Sequence, residues 1–241
     1  MISHDTALDM LHIASLAYDY KDNNSKDDEE FSQILIQYPK GRVIQFISDE
    51  LSDVQVGITI NDDKQRICVV FRGSNSMIDW YYNLQSTQFT IKDNIRVHHG
   101  FCKQLFATNL YHRIVYQVQA QLRSFPQYDL FVTGHSAGGA LSTLFGYLLS
   151  GDMPRQKINI VSFASPRIGN YDFKCDFESR SNIVHSRVTN MNDIITATPV
   201  INYYHVGTKI YIRSKQCWCC CLNICDHKSN VYRLNLLDTR W

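Results

Sequence analysis

The stretch from Tyr128 to Leu149, YDLFVTGHSAGGALSTLFGYLL, constrains this chain more than any other. It opens on a short apolar run, Leu130–Thr133, of strand length and β-rich composition. It then reaches Gly134-His135-Ser136-Ala137-Gly138 and continues as an apolar segment with helical spacing. A strand, a G-x-S-x-G turn and a helix in that order predict a sharp, strained turn that holds Ser136 out beyond a sheet edge. The glycines follow from sterics, because the strand behind and the helix in front crowd the positions a Cβ would take. The start of the helix offers backbone N–H groups to a developing oxyanion, so Ser136 is the candidate nucleophile.

The rest of the chain is read around this turn. Thr6–Tyr18 has a helical period, with Thr6 or Asp5 as cap, and Asp22–Glu30 reads as a polar loop. Gly41–Ile47, Val54–Ile60 and Arg66–Phe71 read as strands, the last two joined by Asn61-Asp62-Asp63 in an antiparallel hairpin. Trp80–Leu84 is helix-like, Phe89–His98 extended, and Gly100–Phe125 one long helix. Beyond the turn, Lys157–Phe163, Asn182–Thr189 and Gly207–Arg213 read as strands and Lys228–Leu237 as a terminal helix. The G-x-S-x-G turn between strand and helix points to an α/β-hydrolase fold, and strands alternating with helices imply a mostly parallel central sheet with helices on both faces. No repeat or linker interrupts the 241 residues, so 1–241 is expected to form a single domain.

Charge excludes one class of partner. Lys and Arg total 24 against 23 Asp and Glu, which leaves no basic surface for nucleic acid. The opening residues lack the basic and continuous apolar regions of a secretory signal, and no run approaches the ~20 apolar residues that span a bilayer. A cytoplasmic chain is expected. Five of the eight cysteines crowd into Cys217–Cys225. Adjacent cysteines pair poorly with each other and no second C-x-x-C completes a metal site, so reduced thiols are expected. S-acylation of that patch, and with it peripheral membrane attachment, is the alternative.

A serine hydroxyl needs a histidine to take its proton and a carboxylate to orient that histidine. In this fold class the acid and then the histidine follow the serine along the chain. Asp193 lies directly beyond a predicted strand, at the carboxyl edge where open α/β sheets place their sites. His185 sits within a strand and reads as packing. His205, before a strand, and His227, before the last helix, both fit the base by spacing alone.

Further blocks carry a family resemblance. They are Val69–Ser74 (VVFRGS), Asp79-Trp80, Val97–Phe101 (VHHGF), Thr133–Ala140, Phe163–Asn170 (FASPRIGN), Arg187–Ile195 (RVTNMNDII), His205-Val206-Gly207, and Asp226-His227 with Tyr232 downstream. In this order and spacing the chain resembles the class 3, fungal-type lipases, a family that includes triacylglycerol and diacylglycerol lipases. The resemblance runs from about Val54 onward. It implies Ser136 as nucleophile, Asp193 as acid and His227 as base, with the His205 block structural and His205 the alternative base. It implies Ser74 and Ala137 as the oxyanion-hole donors. It also implies that Ser76–Leu84 is a lid, its Met77, Ile78, Trp80, Tyr81 and Tyr82 meeting lipid. The expected activity is hydrolysis of acylglycerol or related lipid esters through an acyl-enzyme, with no metal or organic cofactor. The expected partners are the lipid ester and a membrane or lipid-droplet surface. The rival readings are an inactive lipase-like binding module and a lipid acyltransferase.

Overall fold

Alternation of apolar side chains along the central strands decides the architecture. In β3 (Arg66–Phe71), Ile67, Val69 and Phe71 enter one buried cluster while Cys68 and Val70 enter another. In β6 (Asp129–His135), Leu130 and Val132 oppose Phe131, and in β7 (Ile158–Phe163), Ile158 and Ile160 oppose Val161 and Phe163. Strands apolar on both sides must be covered on both sides. The computed structural model, which describes residues 2–18, 41–73, 87–213 and 224–239, shows how.

Four further strands complete the main sheet, β1 (Gly41–Asp49), β2 (Val54–Asn61), β8 (Ile183–Asn190) and β9 (Thr208–Ile212), while β4 (Gln88–Lys92) and β5 (Ile95–His98) form a separate hairpin. Among the described residues the main sheet runs β1-β2-β3-β6-β7-β8-β9. The first three strands are antiparallel and β3, β6, β7, β8 and β9 are mutually parallel. The antiparallel hairpin expected around Asn61-Asp62-Asp63 is the β2–β3 pair.

Each crossover steps the same way along the sheet, so its helices land on one face. That face carries α2 (His99–Phe106), α3 (Leu110–Ser124), α4 (Ala137–Asp152) and α5 (Tyr171–Ser179), whose Phe101, Leu105, Ile114, Val118, Leu144 and Phe173 join the first cluster. The opposite face is closed by the two ends of the described chain. Met10, Leu11 and Ala14 of α1 (His4–Leu16) pack with Tyr232 and Leu236 of α6 (Ser229–Asp238) over Val70, Phe131 and Val161. His4 Nε2 donates to the Leu236 carbonyl at 2.8 Å, stitching the two helices directly.

Three local expectations need correction. The helix expected over Gly100–Phe125 is two helices with a short 3-10 turn between them, because Thr108 and Asn109 take left-handed backbone angles (φ 51° and 60°). The break is held from outside, by a hydrogen bond from the Thr108 hydroxyl to the Asp49 carboxylate. Helix α1 is capped by Ser3, whose Oγ accepts from Thr6 N, and not by Thr6 or Asp5. Helix α5 was not anticipated, although Asn170 caps it by accepting from Phe173 N at 3.0 Å. The loop at Asp22–Glu30, the helix-like segment at Trp80–Leu84, Ser74, the lid residues Met77, Ile78, Trp80, Tyr81 and Tyr82, and the cysteines from Cys217 to Cys221 lie outside the described residues. Among the described residues no helix is long and apolar enough to cross a membrane.

Candidate active site

The turn after β6 is as tight as its glycines require. A Cβ on Gly134 would stand 2.4 Å from the Gly138 carbonyl, and one on Gly138 would stand 2.2 Å from the Phe71 carbonyl of β3. Ser136 sits between them with φ 60° and ψ −125°, a region a side-chain-bearing residue occupies only when its surroundings enforce it. The enforcement is visible. Ser136 N donates to the Phe163 carbonyl of β7, and Gly139 N and Ala140 N donate back to the Ser136 carbonyl. Ala137 then begins α4, where the first amides of a helix have no acceptor within it.

The strand ends bring two more side chains to Ser136. Asp193 follows β8, as expected, and His227 ends a 3-10 turn, Cys225–His227. Ser136, Asp193 and His227 are each under 3% exposed. His227 Nε2 lies 2.7 Å from Ser136 Oγ, and His227 Nδ1 lies 2.8 and 3.0 Å from the two oxygens of Asp193. A carboxylate only accepts, so Nδ1 carries the proton and Nε2 presents its lone pair to the serine hydroxyl. That is the tautomer a general base needs.

The carboxylate is itself held. Ile195 N donates to Oδ1 at 3.0 Å and the Tyr232 hydroxyl donates to Oδ2 at 2.7 Å. The Tyr232 oxygen in turn accepts from Asn190 N at 2.9 Å, while Asn190 Nδ2 donates to the Asp226 carbonyl at 3.1 Å. Burial raises the Tyr232 phenol well above its ordinary value, so it remains a donor. The role of Tyr232 was not read from the sequence, though the residue was noted downstream of Asp226-His227.

The other histidines are placed elsewhere. His205 Nε2 donates to the Thr196 carbonyl at 2.7 Å, and so braces the Asp193 loop instead of facing Ser136. His185 meets Ser162 Oγ at 2.9 Å inside the sheet. His98 packs its ring on Phe101 with centroids 4.7 Å apart. His135 lies behind the turn, its Nε2 2.7 Å from the His227 carbonyl.

Burial lowers His135, His185 and His205 from the usual imidazole value to about 3 each, with the charge of His227 acting second on His135 and that of Arg187 second on the other two. All three are neutral in the folded protein, whereas an unfolded chain protonates them near pH 6.5. Between those values the unfolded state binds more protons, so stability is complete above about pH 6.5 and is lost as the pH falls towards 3. Each such group adds a slope of about 1.4 kcal/mol per pH unit across the window. Thermal midpoints are expected to hold from pH 7.5 to about 6.5 and to fall from there down to pH 4, and a flat profile across that lower range would contradict the neutral burial of these rings.

Comparison with known proteins matches residues 68–203, more than half of the chain, to the family described as Lipase (class 3). The chain belongs to the class 3 lipase family. Among the relatives of this lipase family, the lipase of Rhizopus niveus is 32% identical over 190 residues, covering 73% of this chain and 46% of that lipase. The secreted mono- and diacylglycerol lipase 1 of Fusarium solani is 28% identical, covering 72% of this chain and 53% of that lipase. The chain thus spans about half the length of the curated relatives it matches. In three dimensions it is similar to lipase II from Rhizopus niveus, with a TM-score of 0.76 and 27% identity over 93% of this chain and 92% of that one. The class 3 lipase architecture seen here is the α/β-hydrolase fold. The family match begins in β3 and ends before β9, so His227 and Tyr232 lie beyond it and α1 before it.

Proposed function

We propose that the protein is a serine lipase that hydrolyses acylglycerol or related lipid esters. The observation that carries this reading is Ser136 Oγ at 2.7 Å from His227 Nε2, with His227 Nδ1 on Asp193, in a chain of the class 3 lipase family. In this mechanism Ser136 Oγ attacks the ester carbonyl carbon while His227 Nε2 takes the hydroxyl proton. The negative oxygen that forms is met by the Ala137 amide at the start of α4 and by Ser74, the donor that the family resemblance implies. Asp193 stays ionised and stabilises the imidazolium. The C–O bond to the alcohol breaks as His227 returns the proton to the leaving oxygen, which frees the glyceride and leaves an acyl group on Ser136. Water then gives its proton to His227 and attacks the acyl carbonyl. The proton passes back to Ser136 Oγ and the fatty acid departs.

The substrate partner is a lipid ester presented at a membrane or droplet surface, met by the apolar residues Met77, Ile78, Trp80, Tyr81 and Tyr82. A cytoplasmic setting is part of the same proposal. The curated relatives include proteins named as secreted, and that is a statement about them.

Release of acid from a tributyrin emulsion by the purified protein, together with stoichiometric labelling of Ser136 by a fluorophosphonate, is the expected outcome. A folded protein inert on tributyrin and on longer glycerides, with Ser136 unlabelled, would sink the reading.

A further inference from the structure

Tyr18, at the end of α1, lies in the part of the chain that the family match does not reach. Its hydroxyl is nevertheless 3.0 Å from His135 Nδ1, across 117 residues, and the two rings meet edge to face with centroids 5.8 Å apart. The other nitrogen of His135 faces the carbonyl oxygen of His227 at 2.7 Å. The direction of this chain of bonds is determined by its end. A carbonyl only accepts, so His135 Nε2 carries the proton, and the neutral ring then has a bare lone pair on Nδ1. Only a donor can satisfy that lone pair, and the donor in contact with it is the Tyr18 hydroxyl.

The same phenol touches the other wall of the site. The Gly73 backbone lies against the Tyr18 oxygen. Contact there is so close that a Cβ on Gly73 would fall 1.9 Å from that oxygen and 2.6 Å from the His135 carbonyl. Gly73 immediately precedes Ser74, the oxyanion donor of the proposed mechanism. One half-buried tyrosine therefore contacts the residue leading into the oxyanion loop and the ring that grips the base. His135 also stands between the two, packed on the His227 ring with centroids 5.0 Å apart.

We infer that Tyr18 and His135 are positioning residues for the proposed hydrolysis, a hydrogen-bonded relay from α1 to the backbone of His227 that sets the base against Ser136 Oγ. This inference rests on the hydrolase reading. Neither side chain is assigned a contact with substrate. The relay acts by holding His227 at its main chain, while Asp193 holds it at its ring. Displacing a general base by a fraction of an ångström lowers the rate of the chemical step and leaves substrate binding alone.

The test uses the full chain and p-nitrophenyl butyrate, a soluble ester that separates kcat from KM without an interface. Tyr18→Phe keeps the ring and removes the donor to His135 and the oxygen packed against Gly73. It is expected to lower kcat by roughly 10- to 100-fold with KM within about twofold of wild type. At His135, glutamine can place an amide N–H close to the position of Nε2, whereas asparagine is too short to reach the His227 carbonyl. His135→Gln is therefore expected to keep a kcat at least about tenfold above that of His135→Asn. Tyr18→Phe made in the His135→Asn background is expected to cost much less than in wild type, because the relay is already cut.

A lower thermal midpoint with unchanged kcat in folded Tyr18→Phe would make the tyrosine mere packing and overturn the relay. Equal kcat for His135→Gln and His135→Asn overturns it as well, and that pair decides the matter if Tyr18→Phe does not fold. An equal Tyr18→Phe effect in both backgrounds also overturns it, and assigns the tyrosine to Gly73 alone. A folded wild type inert on the ester overturns the hydrolase reading itself, and the relay falls with it. Wild-type turnover with indifferent variants overturns the relay only.

Discussion

Ser136→Ala is expected to lower kcat by about 10⁶-fold on a glyceride ester, while shifting the thermal midpoint by only a few degrees. The two expectations have separate causes. The nucleophile is one oxygen atom, and its structural partner is the Nε2 of His227. The strained backbone at φ 60° is imposed by Gly134, Gly138 and the bond to the Phe163 carbonyl, none of which the substitution removes. The catalysis that remains comes from the oxyanion donors and from binding, both independent of the hydroxyl. Acid release from tributyrin and circular-dichroism melting measure the pair of expectations. Retention of more than about a hundredth of the wild-type rate by a well-folded variant would place the nucleophile elsewhere.

The second large effect comes from Asp193→Asn, expected to lower kcat by about 10⁴-fold. The carboxylate accepts three hydrogen bonds, from Ile195 N, the Tyr232 hydroxyl and His227 Nδ1. An amide has one oxygen in place of two. Ile195 N and Tyr232 sit on opposite sides of the group, so one must now face the NH₂, or the NH₂ must face His227. When the NH₂ faces Nδ1, the imidazole keeps its proton on Nε2 and points that proton at Ser136 Oγ. It then cannot act as the base. A variant retaining more than about a tenth of the wild-type kcat would mean that the tautomer is set by something other than Asp193.

What could be read from residues alone followed from how local each cause is. The Ser136 turn was legible because its sterics are written within five residues, from Gly134 to Gly138. Asp193 was legible because it lies directly past a strand. His227 and His205 tied on spacing, since the difference between them is tertiary. His227 is gripped by His135 from the Ser136 turn and by Asp193, and Asn190 holds the carbonyl of its neighbour Asp226; His205 is drawn instead to the Thr196 carbonyl. The family resemblance separated the two where periodicity could not.

The break at Thr108 was hidden for a similar reason. Apolar residues continue in helical register on both sides of it, and the partner that pins it, Asp49, is far away in the chain. Helix α5 shows only Phe173 and Phe177 at helical spacing in a short polar segment, too few positions for a period to register. Tyr18 read as the last apolar position of an amphipathic helix, and its bond to His135 crosses 117 residues.

The closing of one sheet face by both ends of the described chain has a consequence for the order of assembly. The face bearing α2 to α5 can begin to consolidate as each crossover leaves the ribosome, because its contacts join neighbours along the chain. The face beneath His227, the proposed base, cannot. Helix α1 is made long before its partner α6, and the bond between His4 and Leu236 joins residues 232 positions apart. Until then Val70, Phe131 and Val161 lack half their cover, and the first helix has no permanent neighbour. The turn that holds Ser136 is thus shaped early by local sterics, and the proposed base reaches it only once the chain has been made through His227. Chains released before His227 is made therefore carry the serine without the proposed base beside it, so the Ser136–His227 contact exists only after this face of the sheet closes.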